Sequence, residues 1–445
     1  MNDVLKKIEE LTIAHDKISP SLVKEKDIKL GLRNADGTGV VVGITTKGRV
    51  LGYEKNANGE KVSIEGKLYY CGYDIENIVK EITMRNTFGY DEVAYMLLTG
   101  ELPAESDLRN FSDDLVKRRS LSKQERSVIM EEVQNDNQMY ALHSVISHLG
   151  RCDSNPDSTD IKDVSRQCIN LIAKFPTIVA YNYNVNRFRH GEDLMMIRPR
   201  NDLSTAENFL YMLKGEVPDK NEAQLFDIAL VLHAEHGGGN NSTFTVRTVS
   251  SSGANTYMAI AAGIASLSGP LHGGANESVM KMMKDLKKNV KDWSEESAIE
   301  KYLIDVFEGR AFDHSKKIYG LGHAVYTLSD PRAIILKERA REFSKRKNAF
   351  DEFTLYENVE KIGTRILSER KGVPIRANVD FYSGFIYKMM GIPQALFTPI
   401  FAMARVAGWS AHRLEQIVQG KIMRPAYVAA DTKERAYTKL VERKN

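Results

Sequence analysis

The chain is short of the residues that staple or anchor a protein. It has only three cysteines, Cys71, Cys152 and Cys168. An odd number, at spacings that match no zinc knuckle, excludes a disulfide framework and points to reduced thiols in a cytoplasm. It also lacks an excess of either charge: 62 Lys and Arg stand against 59 Asp and Glu, a formal +3. No overall field draws it to nucleic acid or a membrane, so any anion site must be local. The opening "MNDVLKKIEELTIAHDK" has no apolar core of a secretory signal and carries too much acid for a transit peptide. One apolar run, Met389 to Trp409, approaches membrane length. It contains Pro393, Pro399 and Arg405, which predicts a buried, kinked helix pair rather than a span. There is no internal repeat and no low-complexity linker.

What is present is the composition of a globular protein, 42% hydrophobic and 27% charged, and 445 residues call for more than one lobe. Most of the chain reads as helix. In "STAENFLYMLKG", Ser204 and Glu207 form a capping box and Gly215 is a stop. "YDEVAYMLLTGELP" ends at Gly100, a helical period runs from Glu222 to Glu235, and "SAHRLEQIVQG" places Ser410 as a cap and Gly420 as a terminator. Strand signals are confined to Gly39–Ile44 and the Gly48–Tyr70 region, read as small hairpins. The stretch from Met258 to Leu267 is rich in Ala and Gly, which suits deep burial or a subunit interface. A charged, glycine-poor block from Lys284 to Arg370 predicts a lobe inserted between two halves of a larger one.

Several stretches carry residues capable of chemistry. In "LHAEHGGGNNST", His233 and His236 are three apart on one predicted helix face, as a metal pair or as a helix end with satisfied histidines. No H-E-x-x-H and no Gly-Lys-Ser/Thr follows. In "SGPLHGGANE", His272 stands between Gly269-Pro270 and Gly273-Gly274, just before a helix predicted from Asn276. Glycine permits close approach of backbone to a ligand, and a helix N-terminus disfavours an imidazolium. His272 then reads as a neutral donor suited to an enolate, or as a buried turn histidine. In "GLGHAVYTLSDPRA", His323 follows Gly-Leu-Gly and Arg332 follows Asp330-Pro331; His323 is functional or an ordinary turn residue. In "NVDFYSGFIYKMMGIP", Asp380 lies between Val379 and Phe381, either as a desolvated base or as a helix N-cap. Arg405 inside an apolar run, and Arg424 before Pro425, require a carboxylate from the protein or from a ligand.

Taken in order, these stretches, with "MRPAYV" and the N-terminal "GKLYYCGYDI" and "FGYDEVAYMLLTGELP", resemble the citrate synthases from about Gly39 onward. The resemblance implies roles. Asp380 matches the base that takes a proton from the methyl group of acetyl-CoA. His272 matches the donor to the thioester oxygen, and His323 the residue that polarises the oxaloacetate ketone and supplies its proton. Arg332 and Arg405 match arginines that grip carboxylates, and His236 a further oxaloacetate contact. Arg424 matches an arginine contributed by a neighbouring subunit, which implies a homodimer. Lys316, Lys317, Gly320, Leu321 and Gly322 match a stretch bordering CoA, with Lys316 or Lys317 as candidates for its phosphates. CoA enters as a co-substrate; no tightly bound cofactor and no metal are implied.

The family fold is all-α, with two domains and minor β hairpins near the N-terminus. The expected division is a large domain of residues 1–272 and 380–445 and a small one of 273–379 closing over oxaloacetate. The chain departs from the family pattern at Cys71, where many relatives have arginine, and at Ala324 and Thr327, where some carry basic residues. The resemblance does not place residues 1–38. The competing readings are a 2-methylcitrate synthase using propionyl-CoA, a catalytically silent acyl-CoA-binding protein on the same fold, and a metal-dependent hydrolase built on His233 and His236.

Overall fold

The computed structural model describes residues 3–15, 18–134, 136–430 and 434–443. It divides into two compact units, one of residues 45–422 and one of the segments 1–44 and 423–445. In the second unit, helices Asp3–His15 and Pro20–Glu25 precede a short 3-10 turn, and a single bridge joins Arg33 to Gly39. The strand expected over Gly39–Ile44 does not form. Val41 and Ile44 are 92% and 79% exposed, so those β-branched residues have no ladder in which to be half-buried.

The larger unit is helical, as the composition and caps indicated, with a three-stranded antiparallel sheet of Gly48–Lys55, Lys61–Tyr70 and Tyr73–Asp74. Local signals explain many of the ends. Ser204 and Glu207 close their capping box on helix Thr205–Lys214, and Gly215 ends it in the left-handed conformation. Helix Tyr90–Thr99 stops at Gly100 in the same way. Its N-terminus has no side-chain cap of its own, since the N-cap residue is Gly89. Asp227, from helix Lys220–His233, fills that role from across the core, accepting the N–H of Gly89 at 2.6 Å and of Tyr90 at 3.3 Å.

The centre of the unit is helix Phe397–Gln419. It packs against helices Ile161–Arg189, Tyr90–Thr99, Lys220–His233, Asn241–Ser251 and Thr256–Leu267. This accounts for the long apolar run. After helix Val379–Met389 and a 3-10 turn at Gln394–Leu396, the run becomes one helix surrounded by others. Pro399 lies in its first turn, where a missing N–H costs nothing. Ser410 is not a cap: it lies mid-helix and fully buried, because the apolar residues on both sides continue the same helix.

The small-residue helix Thr256–Leu267 crosses this core at Gly263. A Cβ there would lie 2.6 Å from Val246 Cγ2 and 3.2 Å from the Trp409 ring. Met258 and Ala265 point outward on the same helix. Gly263→Ala gains about 1 kcal/mol of helix propensity. Overpacking at the crossing costs about 1–3 kcal/mol and should dominate. The variant is expected to unfold at lower temperature and lower urea; an equal or higher midpoint would show that the crossing relaxes freely.

Candidate active site

The site begins with a turn. His272 lies in residues 271–274, between helices Thr256–Leu267 and Ala275–Asn289. The turn folds back so tightly that a Cβ on Gly273 would strike the Leu267 carbonyl. Gly273 therefore serves the turn itself rather than the approach of a ligand. Ser242, in the first turn of helix Asn241–Ser251, places its N–H 3.3 Å and its Oγ 3.0 Å from His272 Nε2. A backbone N–H can only donate, so Nε2 holds the lone pair and Nδ1 the proton. Burial, and then the charge of Arg405, lower the pKa of His272 to about 4. The imidazole is neutral at pH 7. The helix start that contacts the ring is that of Asn241–Ser251 rather than the one expected at Asn276.

His323 is brought in by backbone pairing. Leu321 bridges antiparallel to Ala377, Gly322 N–H donates to Arg376 O at 2.7 Å, and Asn378 N–H donates to Gly320 O at 2.9 Å. These bonds place His323 beside the start of helix Val379–Met389. Gly320 is held at φ +80°, and a Cβ there would meet Phe381 at 2.6 Å. His323 Nδ1 accepts the N–H of Val325 at 3.0 Å and of Tyr326 at 3.1 Å, which leaves the proton on Nε2. Burial and Arg332 lower its pKa to about 4. The sheet presses on the same loop: a Cβ on Gly52 or Gly66 would collide with the carbonyl of Val325 or Ser329, and Gly66 N–H donates to Ser329 Oγ at 2.9 Å.

Asp380 is the second residue of its helix. The cap is Asn378, whose Oδ1 accepts the Asp380 N–H at 3.1 Å, so the Asp380 carboxylate is not used for capping. Burial raises its pKa to about 6, with Arg332 and Arg405 pulling it down and Asp330 adding to the rise.

Two guanidiniums complete the cluster. Arg332 is buried and pairs with Asp330 through Nε at 3.0 Å and Nη2 at 2.8 Å. Asp330 is also the N-cap of helix Pro331–Arg346. Arg405 is fully buried, donates from Nε to the His233 carbonyl at 2.6 Å and lies 4.8 Å over the Phe401 ring. Its Nη1 and Nη2 have no partner among the described residues. Burial lowers its pKa to about 10, and Glu235, Tyr70 and Asp380 act against that.

His236 is buried, edge-on to His323 at 5.2 Å and to Tyr326 at 5.6 Å, with Nε2 unpaired. Burial first, then Arg332, His323, Arg405 and His272, hold its pKa well below the usual histidine value. These couplings join His236, His272, His323, Asp380, Arg332 and Arg405 into one electrostatic cluster. His233 feels Arg332 and Arg405 too, and its carbonyl holds Arg405, but its ring is turned into its own helix. Helix Lys220–His233 ends there, so the two histidines do not share a helix face, and the His233 Nδ1–H donates to Ala229 O at 2.7 Å. Lys316 and Lys317 are exposed on the loop leading to Gly320, Leu321 and Gly322. Arg424 is exposed and belongs to the other unit. The sequence reading missed Ser242, Glu235 and the capping role of Asp330. Only the Asp330-Pro331 pair carried a local signal, that of a helix start.

The family model for the citrate synthase C-terminal domain matches residues 38–426. The chain is 37% identical over 385 residues to a citrate synthase of Haloferax volcanii, covering 85% of this chain and 93% of that protein. It is 33% identical over 383 residues to 2-methylcitrate synthase 1 of Corynebacterium glutamicum, covering 84% and 92% respectively. The crystal structure of citrate synthase from Pyrobaculum aerophilum superposes with a TM-score of 0.73 at 32% identity, covering 91% of this chain and 94% of that one. The chain belongs to the citrate synthase family.

Proposed function

We propose that the chain condenses acetyl-CoA with oxaloacetate and hydrolyses the resulting thioester to citrate and CoA. In this reading, Asp380 removes a proton from the thioester methyl group. The His272 Nδ1–H donates to the thioester oxygen as the enol forms. The His323 Nε2–H polarises the ketone of oxaloacetate and supplies the proton its oxygen takes when the new C–C bond closes. Arg405 and Arg332 hold carboxylates of the substrate, with His236 as a further contact to it. A thioester methyl is a weak acid and a lone carboxylate a weak base. A placed base contributes about 10²–10⁴ in rate and a placed donor about 10²–10³, so the site needs both. The observation that carries this reading is Arg405: a guanidinium sealed in the core with both terminal nitrogens unpaired, in the same field as Asp380 and His272.

CoA is a co-substrate here, bordered by the loop from Lys316 to Gly322, with Lys316 or Lys317 at its phosphates. Residues 273–379 act as the small domain, and their closure excludes water until the C–C bond is made. The chain works as a homodimer in the cytoplasm, each protomer lending Arg424 to its neighbour. Support for the dimer comes from the outward Met258 and Ala265 on the small-residue helix. Support for the compartment comes from three free cysteines. Among the described residues no helix is long and apolar enough to cross a membrane.

The second reading, favoured by the 2-methylcitrate synthase relative, is the same chemistry on propionyl-CoA. One methylene in a pocket is worth only about 1–3 kcal/mol of discrimination. Release of CoA from each acyl-CoA in the presence of oxaloacetate separates the two. A higher kcat/KM for acetyl-CoA is expected, and a higher value for propionyl-CoA would reassign the chain.

Asp380→Asn is expected to lower kcat by about 10²–10⁴. Oxaloacetate should still raise the melting temperature of that variant, and near-native turnover would remove Asp380 as the base. The base is active only when ionised. With its pKa raised to about 6, log kcat/KM should fall on the acid side below about pH 6. The histidines, near 4, stay neutral through that range. An acid limb centred near the ordinary aspartate value would mean that Asp380 is hydrated and not desolvated.

A further inference from the structure

Helix Phe397–Gln419 meets the segment 233–235 along one stripe, at positions 405, 408 and 412. Arg405 donates to the His233 carbonyl. Gly408 makes room for Glu235, since a Cβ there would lie 2.5 Å from Glu235 Oε2. His412 Nε2 lies 2.9 Å from Glu235 Oε1. Glu235, Arg405 and His412 are all fully buried.

The direction of these hydrogen bonds follows from chemistry. A guanidinium has only donors, so Arg247 Nη1, 3.0 Å from His412 Nδ1, donates there. Arg247 is held in turn by Glu415 and by Gln419. The proton of the His412 ring is then on Nε2 and points at Glu235 Oε1, which also accepts the Gly237 N–H at 2.5 Å. Oε1 therefore has two donors, whereas Oε2, equally buried, has none. Among the described residues, Arg405 Nη1 and Nη2 have no acceptor. A direct ion pair would satisfy both groups, yet no Arg405 nitrogen lies within 4.0 Å of a Glu235 oxygen.

We propose that Glu235 is a tethered counter-ion: the Arg247–His412 chain holds its carboxylate away from Arg405, where it offsets the buried charge without occupying the N–H groups that bind the carboxylate of oxaloacetate. A buried cation needs a nearby anion. An anion in contact would have to be displaced by the substrate, whereas one held beyond hydrogen-bonding distance still supplies the Coulomb part of the balance. His412 and Glu235 are thus positioning residues. The inference rests on Arg405 being the oxaloacetate carboxylate site.

The test is steady-state kinetics with oxaloacetate varied, together with melting curves with and without oxaloacetate. His412→Leu removes the tether and lets Glu235 turn onto Arg405. KM for oxaloacetate should rise about tenfold or more, with kcat at saturation within about threefold. His412→Gln keeps an amide donor for Glu235 and should stay within about threefold of the native KM. Adding Glu235→Gln to His412→Leu removes the competing charge, and KM should return to within about threefold of native, a coupling that a purely structural loss would not produce. Should His412→Leu fail to fold, Glu235→Gln alone carries the test: its unliganded melting temperature should fall, while the rise produced by oxaloacetate is at least as large as in the native protein.

An unchanged KM in His412→Leu, a double variant worse than that single variant, or loss of the oxaloacetate-induced rise in Glu235→Gln would overturn the tether. A native protein whose melting temperature does not respond to oxaloacetate would instead remove the underlying reading of Arg405, and the tether with it.

Discussion

Burying a guanidinium without saturating it is the constraint on which this site depends. Arg405 has no exposure to solvent, a carbonyl on Nε, an aromatic face against it, and no partner among the described residues on its two terminal nitrogens. Its charge acts on its neighbours through a medium in which water does little screening. After burial, Arg405 is the next influence lowering the His272 pKa, and it adds to the lowering at His236. It also opposes the rise at Asp380. The same cation therefore helps keep two imidazoles uncharged and one carboxylate ionisable near neutrality.

The imidazoles are set by backbone. Ser242 N–H occupies Nε2 of His272, whereas the N–H groups of Val325 and Tyr326 occupy Nδ1 of His323. The two rings thus present opposite nitrogens as donors, each neutral, and neither setting can drift without breaking a main-chain hydrogen bond. Asp380 lies in a helix first turn, where the dipole favours the carboxylate by about 0.3–1 kcal/mol. Its pKa is nonetheless raised, so desolvation outweighs the dipole there.

Three distant parts of the chain converge on these groups. The sheet of residues 48–74 closes on the His323 loop through Gly52 and Gly66, whose missing side chains let backbone meet backbone. The bridge from Leu321 to Ala377 joins that loop to the Asp380 helix. The stripe at Arg405, Gly408 and His412 fastens segment 233–235 to the central helix. The first two joints are made by backbone; the third adds to a backbone carbonyl one hydrogen bond between two buried side chains, His412 and Glu235.

Much of this was legible beforehand, for a physical reason. Helix ends depend on residues a few positions apart, so the capping box at Ser204 and the stop at Gly100 could be read locally. The histidine and aspartate stretches stood out because glycine beside histidine, or aspartate among apolar residues, is locally unusual. Local reading failed where the partner was remote. Ser410 looked like a cap because burial on all sides is invisible in a short window, and Gly39–Ile44 looked like a strand although no strand pairs with it. The cap at Tyr90 comes from Asp227, and the tautomer of His272 from Ser242. The sequence by itself determined the helices, most of their ends and the residue types available for chemistry, since these follow from propensity and near-neighbour sterics. Protonation states, tautomers and the unpaired ends of Arg405 were decided only by tertiary structure, because desolvation and hydrogen-bond direction depend on groups brought close by folding.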